Sequence, residues 1–330
     1  MKRLLITGSN GFIGSFLVEE ALKRGYEVYA CIRKSSNVQY LIDKRIIFLT
    51  IDFSNPSLLI EQFQELPCFD FVIHNAGLTK AKKTEDYYIV NYKFTKNLVN
   101  ALIRSGKIPE RFIYMSSLAA YGPGNGNSQE PVKLNDLPCP ISSYGSSKLA
   151  SEKYISCLSN FPYIILRPTA VYGPREKDIY TLFKLINRNI EPFIGVKNQQ
   201  LTFIYVKDLV KVVFQCLESS RNNKAYFVTD GQVYKGEEFT QVIKTILQKN
   251  TIRIFLPKRI IKLFAYFLES IYWIVGKTPS LNLEKIKEIE SLNWTCDIMP
   301  LQHDMNFKAD YNLHKGIDET IEWYKKERWI

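Results

Sequence analysis

Short apolar runs alternate with stretches of helical spacing along the first half of the chain. Leu4-Leu5-Ile6 reads as a buried strand and is followed at once by the glycine-bearing segment Gly8 to Gly14. Over residues 12–24, Ile13, Leu17 and Ala21, with Val18 and Leu22, recur at i, i+4, the spacing of one helix face. Further strands are predicted at Glu27 to Ile32, Arg45 to Thr50, Asp70 to His74, Arg111 to Met115 and Tyr163 to Leu166. A long helix is predicted over 84–105, carried by Tyr88, Val90, Asn91, Phe94, Leu98 and Leu102, and another over 142–159. Beyond Pro174 the alternation weakens. Phe203 to Val206 and Tyr226 to Thr229 still read as strands, with a helix over 207–219 between them.

Parallel strands need crossover connections, and each step of this pattern supplies one. The pattern predicts an α/β fold of the Rossmann type, a doubly wound parallel sheet with helices on both faces and a smaller, interleaved C-terminal substrate lobe. Residues 1–175 are expected to form the cofactor-binding sheet domain, with 201–235 returning to it. Residues 176–200 and 236–310 are assigned to the lobe, and 311–330 to a C-terminal helix. A chain of 330 residues is long for one core, which agrees with a domain plus an appendage. Ligands of such sheets sit beyond the carboxyl ends of the strands, so candidate chemistry is sought there.

After the first strand comes Thr7-Gly8-Ser9-Asn10-Gly11-Phe12-Ile13-Gly14, a G-x-x-G-x-x-G between a strand and a helix. Glycine is needed there for the tight turn, for close approach to a pyrophosphate and for helix-on-strand packing, while helix-terminal N–H groups hold the anion. The second strand ends Ala30-Cys31-Ile32-Arg33-Lys34, with cations where a carboxylate would hold a free ribose 2′-hydroxyl. A guanidinium suits a 2′-phosphate, so NADP is favoured over NAD, although Arg33 could instead stack on adenine or face water. Asp52-Phe53 follows the third strand, where Asp52 could meet the adenine amino group or cap the helix starting near Pro56. Asn75-Ala76-Gly77 follows the fourth.

Ser116-Ser117-Leu118-Ala119 follows the fifth strand, and Tyr144 and Lys148 stand at i, i+4 on the helix beyond it. A free tyrosine is almost fully protonated at neutral pH, and a neighbouring ammonium favours the phenolate. With a cofactor's positive nicotinamide ring helping the ammonium, the pair predicts a lowered Tyr144 pKa, a proton carrier for a carbonyl/alcohol couple, and Ser117 holding the same oxygen.

Taken in order, TGSNGFIG, HNAG, MSSLAAYG, YGSSK, LRPTAVYGP and FIYVKDLV resemble the extended short-chain dehydrogenase/reductase family, also called NAD-dependent epimerase/dehydratase. The likeness reaches the tail, Asn306-Phe307-Lys308 to Gly316-Ile317 and Thr320 to Tyr324. It implies an NAD(P)-dependent enzyme with Ser117, Tyr144 and Lys148 as the catalytic set. Cofactor contacts are implied at Gly8, Asn10, Gly11, Phe12, Ile13, Gly14, Arg33, Asp52, Phe53, Ala76, Gly77, Asn91, Pro168 and Val171, besides Tyr144 and Lys148. Asp208 matches an acidic residue of the later strand–helix turn, where capping is an equal alternative. Dehydratases and glucuronate decarboxylases of the family carry acid/base groups at positions that are Leu118 and Ala119 here, so elimination and decarboxylation lose favour. An oxidoreductase of a carbonyl or alcohol, similar to the 3β-hydroxysteroid dehydrogenase and dihydroflavonol reductase branch, is expected, with a nucleotide-sugar 4-epimerase as the alternative.

The charge excess is +11, which suits a phosphate-bearing ligand, nucleic acid or an anionic membrane surface. Without a long basic run or an RNA-binding signature, a small-molecule substrate is expected and nucleic acid is not. Six cysteines with no C-x-x-C and three histidines with no H-x-x-x-H argue against a metal site and for the cytoplasm. No apolar run reaches the roughly 18 residues of a membrane span. Residues 258–276 are apolar nearly all round, which suits core, a substrate lid, contact in an expected homodimer, or peripheral membrane contact.

Overall fold

The computed structural model describes residues 1–193, 198–255 and 283–330. The first half runs β1 (Arg3–Thr7), α1 (Phe12–Lys23), β2 (Glu27–Ile32), β3 (Ile47–Thr50), α2 (Pro56–Glu65), β4 (Phe71–His74) and α3 (Thr84–Tyr87). A π-helical turn, Tyr88–Lys93, leads into α4 (Phe94–Arg104), β5 (Arg111–Met115), a 3₁₀ turn at Leu118–Ala120, α5 (Ser143–Ser156) and β6 (Tyr163–Pro168). Then come β7 (Ala170–Tyr172), α6 (Tyr180–Asn187), β8 (Ile190–Phe193), β9 (Gln200–Leu201), β10 (Phe203–Tyr205), α7 (Val206–Glu218) and β11 (Lys224–Val228). The remainder is β12 (Tyr234–Lys235), α8 (Glu238–Leu247), β13 (Ile252–Phe255), α9 (Leu283–Glu290), β14 (Asn293–Trp294), α10 (Met299–Met305) and α11 (Leu313–Lys326).

The expected doubly wound sheet is present. Seven strands pair in the order β11-β6-β5-β4-β1-β2-β3, and every pair is parallel. Successive side chains of a strand point to opposite faces, and β1 shows the result. Leu4 and Ile6 join Leu17, Val18, Leu209 and Val213 of α1 and α7 in one core, while Leu5 joins Leu59, Phe63, Leu98 and Ile155 of α2, α4 and α5 in the other. A third cluster, rich in aromatics, gathers Tyr172, Phe183, Phe203, Tyr205, Phe239 and Tyr324 under the C-terminal elements. Three small sheets, β10-β7, β12-β9-β14 and β13-β8, knit this part together.

Two local expectations are corrected. The helix over 84–105 is interrupted by the π-helical turn at Tyr88–Lys93. The wider turn changes the phase of the buried face: Tyr88 is 39% exposed, whereas Tyr87 and Asn91 are buried. The alternative role for Asp52 as cap of α2 also fails. Asn55 caps that helix, accepting from the Ser57 and Leu58 backbone N–H groups at 3.2 Å each, while the Asp52 carboxylate accepts from the Ser54 N–H at 2.8 Å. Residues 258–276 lie outside the described residues.

Asp208, in the first turn of α7, caps nothing on its own helix in the structure. Its buried carboxylate accepts from the Asp310 and Tyr311 backbone N–H groups, both at 3.0 Å, and so ties the C-terminal segment to the β10–α7 corner. Each orphaned buried polar group costs about 1–3 kcal/mol. Asp208→Ala is therefore expected to lower stability by about 2–4 kcal/mol, read as a lower urea midpoint at unchanged slope; a loss within error would remove the tether from this account.

Candidate active site

The glycine loop is held by backbone contact too close for any side chain. Gly8 has φ +67°, and a Cβ placed on it would stand 2.9 Å from the Ala76 backbone. A Cβ on Gly14 would stand 2.0 Å from the Gly8 carbonyl oxygen, and the Gly11 N–H donates to that same oxygen at 3.1 Å. The first turn of α1 thereby opens directly above β1, with its N–H groups at the loop where a pyrophosphate would lie. Phe12 packs edge-on against Phe16, Ile13 lies against the core below, and Asn10 is half-buried at the loop's tip. This cradle, with Gly77 across the cleft, fits a dinucleotide.

Arg33 is exposed just past β2, in a turn closed by its own N–H to Ser36 Oγ (3.0 Å) and the Ser36 N–H to its carbonyl (2.9 Å). Phe53 packs near His74 and Phe94, and its carbonyl accepts from Asn97 Nδ2 at 2.8 Å. Pro168 ends β6 buried, and Val171 in β7 pairs with Ile204.

A polar line missed in the sequence runs beneath the β4 turn. The Ala76 N–H donates to Thr7 Oγ1 (3.0 Å), Thr7 Oγ1 meets His74 Nδ1 (2.7 Å), and His74 Nε2 meets Thr95 Oγ1 (2.8 Å). Thr95 spends its hydroxyl hydrogen on the Asn91 carbonyl at 2.6 Å, so His74 must donate from Nε2 and accept at Nδ1. Burial, helped by the charge of Lys148, pushes the imidazole down to about 3, which keeps it neutral. The HNAG motif marked the turn but not this partner chain, which needs Thr95 from the next helix.

Asn91, placed inward by the π-helical turn, spends its amide on protein. Oδ1 accepts from the Leu78 N–H at 2.7 Å, and Nδ2 donates to the Leu78 carbonyl (3.0 Å) and to Ser147 Oγ (2.9 Å). That occupies both amide hydrogens, so the expected cofactor contact of Asn91 becomes one of positioning. It joins the β4 turn to α5 between Tyr144 and Lys148.

Lys148 is buried, and its ammonium donates to the Met115 carbonyl at 2.7 Å, 5.0 Å from the centre of the Tyr114 ring. A Cβ on Gly77 would come within 3.0 Å of that nitrogen. Burial lowers the Lys148 pKa to about 8, with Glu152 acting in the opposite sense. One turn on, Glu152 takes both Arg167 Nε (3.0 Å) and Nη2 (2.8 Å) and the Ser116 hydroxyl, and Arg167 lies 4.4 Å from the Tyr121 ring centre.

Tyr144 departs from expectation. Burial raises its phenol to about 12, the Ser117 hydroxyl opposes that, and Glu288 and Tyr87 add to it. In the protein alone burial dominates the phenol, while Lys148 turns to Met115, the Tyr87 ring packs at 6.1 Å and a carboxylate stands nearby; the expected lowering counted on the charge of a bound nicotinamide ring as well. Ser117, two residues past the end of β5, is half-buried, its Oγ accepting from the Ala119 N–H at 3.2 Å. Beside it Leu118 and Ala119 are buried, and Gly145 is required because a Cβ there would stand 2.1 Å from the Ala119 carbonyl oxygen.

Comparison with known proteins agrees with this architecture. The sequence pattern of the NAD dependent epimerase/dehydratase family matches residues 4–229. The chain belongs to that family. It is an enzyme of the extended short-chain dehydrogenase/reductase type, for which an NAD(P) cofactor is supported. Similar members of the family include a UDP-glucose 4-epimerase of Vibrio cholerae, 29% identical over 97% of this chain and 95% of the relative. A ceramide reductase of Caulobacter vibrioides is 27% identical over 98% of this chain and 95% of its own length. A solved UDP-glucose 4-epimerase of Thermotoga maritima, with UDP-glucose, shares the family fold at a TM-score of 0.80 and 20% identity, each chain covered to 99%.

The Lys148 ammonium generates a pH prediction. Its folded pKa lies below the ordinary 10.5, so its contribution to stability is complete above that value and is lost as pH falls through about 8. Wild type should therefore gain stability relative to Lys148→Met between about pH 8 and 10.5, measured as paired urea midpoints. A constant difference across that window would contradict the buried ammonium.

Proposed function

We propose that this enzyme reduces a carbonyl, or oxidises the corresponding alcohol, by hydride transfer with a Ser117-Tyr144-Lys148 set. The observation that carries the reading is the Tyr144 phenol brought beside the Ser117 hydroxyl, at a cleft whose next residues, Leu118 and Ala119, are buried and apolar. Tyr144 donates its proton to the substrate oxygen, and Ser117 holds that oxygen by hydrogen bond. Lys148 lies beneath the Gly77 turn, one helical turn beyond Tyr144. The bound dinucleotide supplies or accepts the hydride. With no acid/base side chain at 118 or 119, the site lacks the groups that elimination would use.

The 27% identity to a ceramide reductase supports an apolar carbonyl substrate, with residues 176–200 and 236–310 as the substrate lobe. NADP is the preferred cofactor in this reading, because Arg33 and Lys34 stand exposed past β2 with no carboxylate in their place. A second reading, nucleotide-sugar 4-epimerase, is favoured by the 29% identity to a UDP-glucose 4-epimerase.

Purified enzyme should carry little cofactor after dialysis and should consume NADPH steadily with a suitable ketone or aldehyde. Retention of stoichiometric NAD(H), with interconversion of UDP-glucose and UDP-galactose, would establish the epimerase instead.

Tyr144→Phe is expected to abolish turnover while cofactor affinity stays near wild type. Ser117→Ala should lower kcat/KM by roughly 10²–10³. Activity of Tyr144→Phe within about tenfold of wild type would overturn the assignment of the proton carrier. Arg33→Ala should weaken NADPH more than NADH; equal effects would remove the 2′-phosphate contact.

A further inference from the structure

The first turn of α5, which carries Tyr144, is gripped by two carboxylates from a helix about 140 residues away in sequence. Ser142 caps α5 by accepting from the Gly145 N–H at 3.2 Å, and its own hydroxyl donates to Glu288 Oε1 at 2.7 Å. Ser143 donates its hydroxyl to Glu284 Oε1 at 2.5 Å and its backbone N–H to Glu284 Oε2 at 3.1 Å. Glu284 and Glu288 are one turn apart on α9 and bracket Tyr144 from the positions just before it. A helix N-terminus with its free N–H groups favours such anions.

Helix α9 is itself anchored in the C-terminal elements. Gln199 Nε2 donates to the Ile289 and Ser291 carbonyls, both at 2.8 Å, and Trp294 Nε1 donates to the Glu288 carbonyl at 2.8 Å. Ile286 is buried on the helix's inner side. The second Glu288 oxygen takes the Lys285 ammonium at 2.9 Å, so this carboxylate is used at both ends.

We propose that Glu284 and Glu288 are positioning residues: they clamp the C-terminal elements onto the first turn of α5 and hold Tyr144 as the neutral phenol, its proton-donating form. The inference rests on Tyr144 being the proton carrier. Among the described residues, these groups face that phenol or its helix turn. From α9 comes Glu288, with Glu284 one turn away on Ser143; from α3 the Tyr87 ring at 6.1 Å; from β5 Tyr114; from the turn after β5 the Ser117 hydroxyl. On its own helix stand Lys148, whose ammonium is turned to Met115, and Glu152, bound to Arg167. Burial comes first in keeping the phenol protonated, and the negative charge of Glu288 adds to it. A protonated tyrosine is the form from which carbonyl reduction begins.

The test is direct titration of residue 144. Full-length protein carrying 3-fluorotyrosine at that position is titrated by ¹⁹F NMR without cofactor. Glu288→Gln should lower the midpoint by at least about half a unit, a threefold or larger rise in acidity, and Glu284→Gln should move it the same way by less. Glu288→Asp, which keeps the charge, should restore a midpoint near wild type. An unchanged midpoint in Glu288→Gln overturns the proposal. Should that variant not fold, Ser142→Gly cuts the bond to Glu288 while leaving a tolerable helix cap, and here too a downward shift supports the clamp and none overturns it. The titration needs no substrate. An active Tyr144→Phe enzyme would sink the catalytic reading and leave the clamp's effect on the phenol standing, whereas an unmoved midpoint beside an inactive Tyr144→Phe would sink the clamp alone.

Discussion

A lysine ammonium sealed inside the molecule is a costly feature of this fold, and the site is arranged around it. Burying a charge without compensation is prohibitive, so polar groups must converge on it. The Met115 carbonyl, at the very end of β5, takes the Lys148 hydrogen bond at 2.7 Å. One turn along α5, Glu152 supplies opposite charge and is itself neutralised by Arg167 of β6. Helix α5 is thereby locked to two adjacent strands through charge. A side chain on Gly77 would crowd that nitrogen, and the Asn91 amide bridges the β4 turn to α5 beside it.

The neighbouring tyrosine shows how differently one spacing can act. Tyr144 and Lys148 lie one helical turn apart, which sequence alone reads as an ammonium beside a phenol. In the structure the ammonium is already engaged beneath the turn, and the phenol faces Tyr87, Ser117 and the carboxylates of α9. Burial is the main reason its phenol stays protonated, and a carboxylate of the C-terminal elements adds to it.

Local patterns were legible where local physics decides the outcome. The alternation of apolar runs and i, i+4 stripes located the sheet's strands to within a few residues, and the G-x-x-G-x-x-G stood in its strand–helix context because that turn is made by neighbours in sequence. The π-helical turn at Tyr88–Lys93 was hidden, since its buried face still alternates at near-helical intervals and only the phase changes. Asn55 rather than Asp52 caps α2, a choice between two adjacent caps that composition cannot make. The tether from Asp208 to Asp310 and Tyr311, the His74 line to Thr95, and the reach of Glu284 and Glu288 to α5 all join residues far apart in the chain. No periodicity encodes them.

The close contact inside the glycine loop also limits how this enzyme can change. Gly14 and Gly8 touch so nearly that even one methyl group would collide with backbone, which no flexible side chain can yield to relieve. That end of the cofactor cleft is closed to mutational drift. The Arg33–Ser36 turn, a few residues past the sheet edge, is exposed and held by two hydrogen bonds of its own. If Arg33 reads the cofactor as proposed, variation in which dinucleotide is accepted is channelled into that turn. An evolving lineage would then exchange one cofactor for the other there, through a handful of surface substitutions, while the glycine loop stays the same.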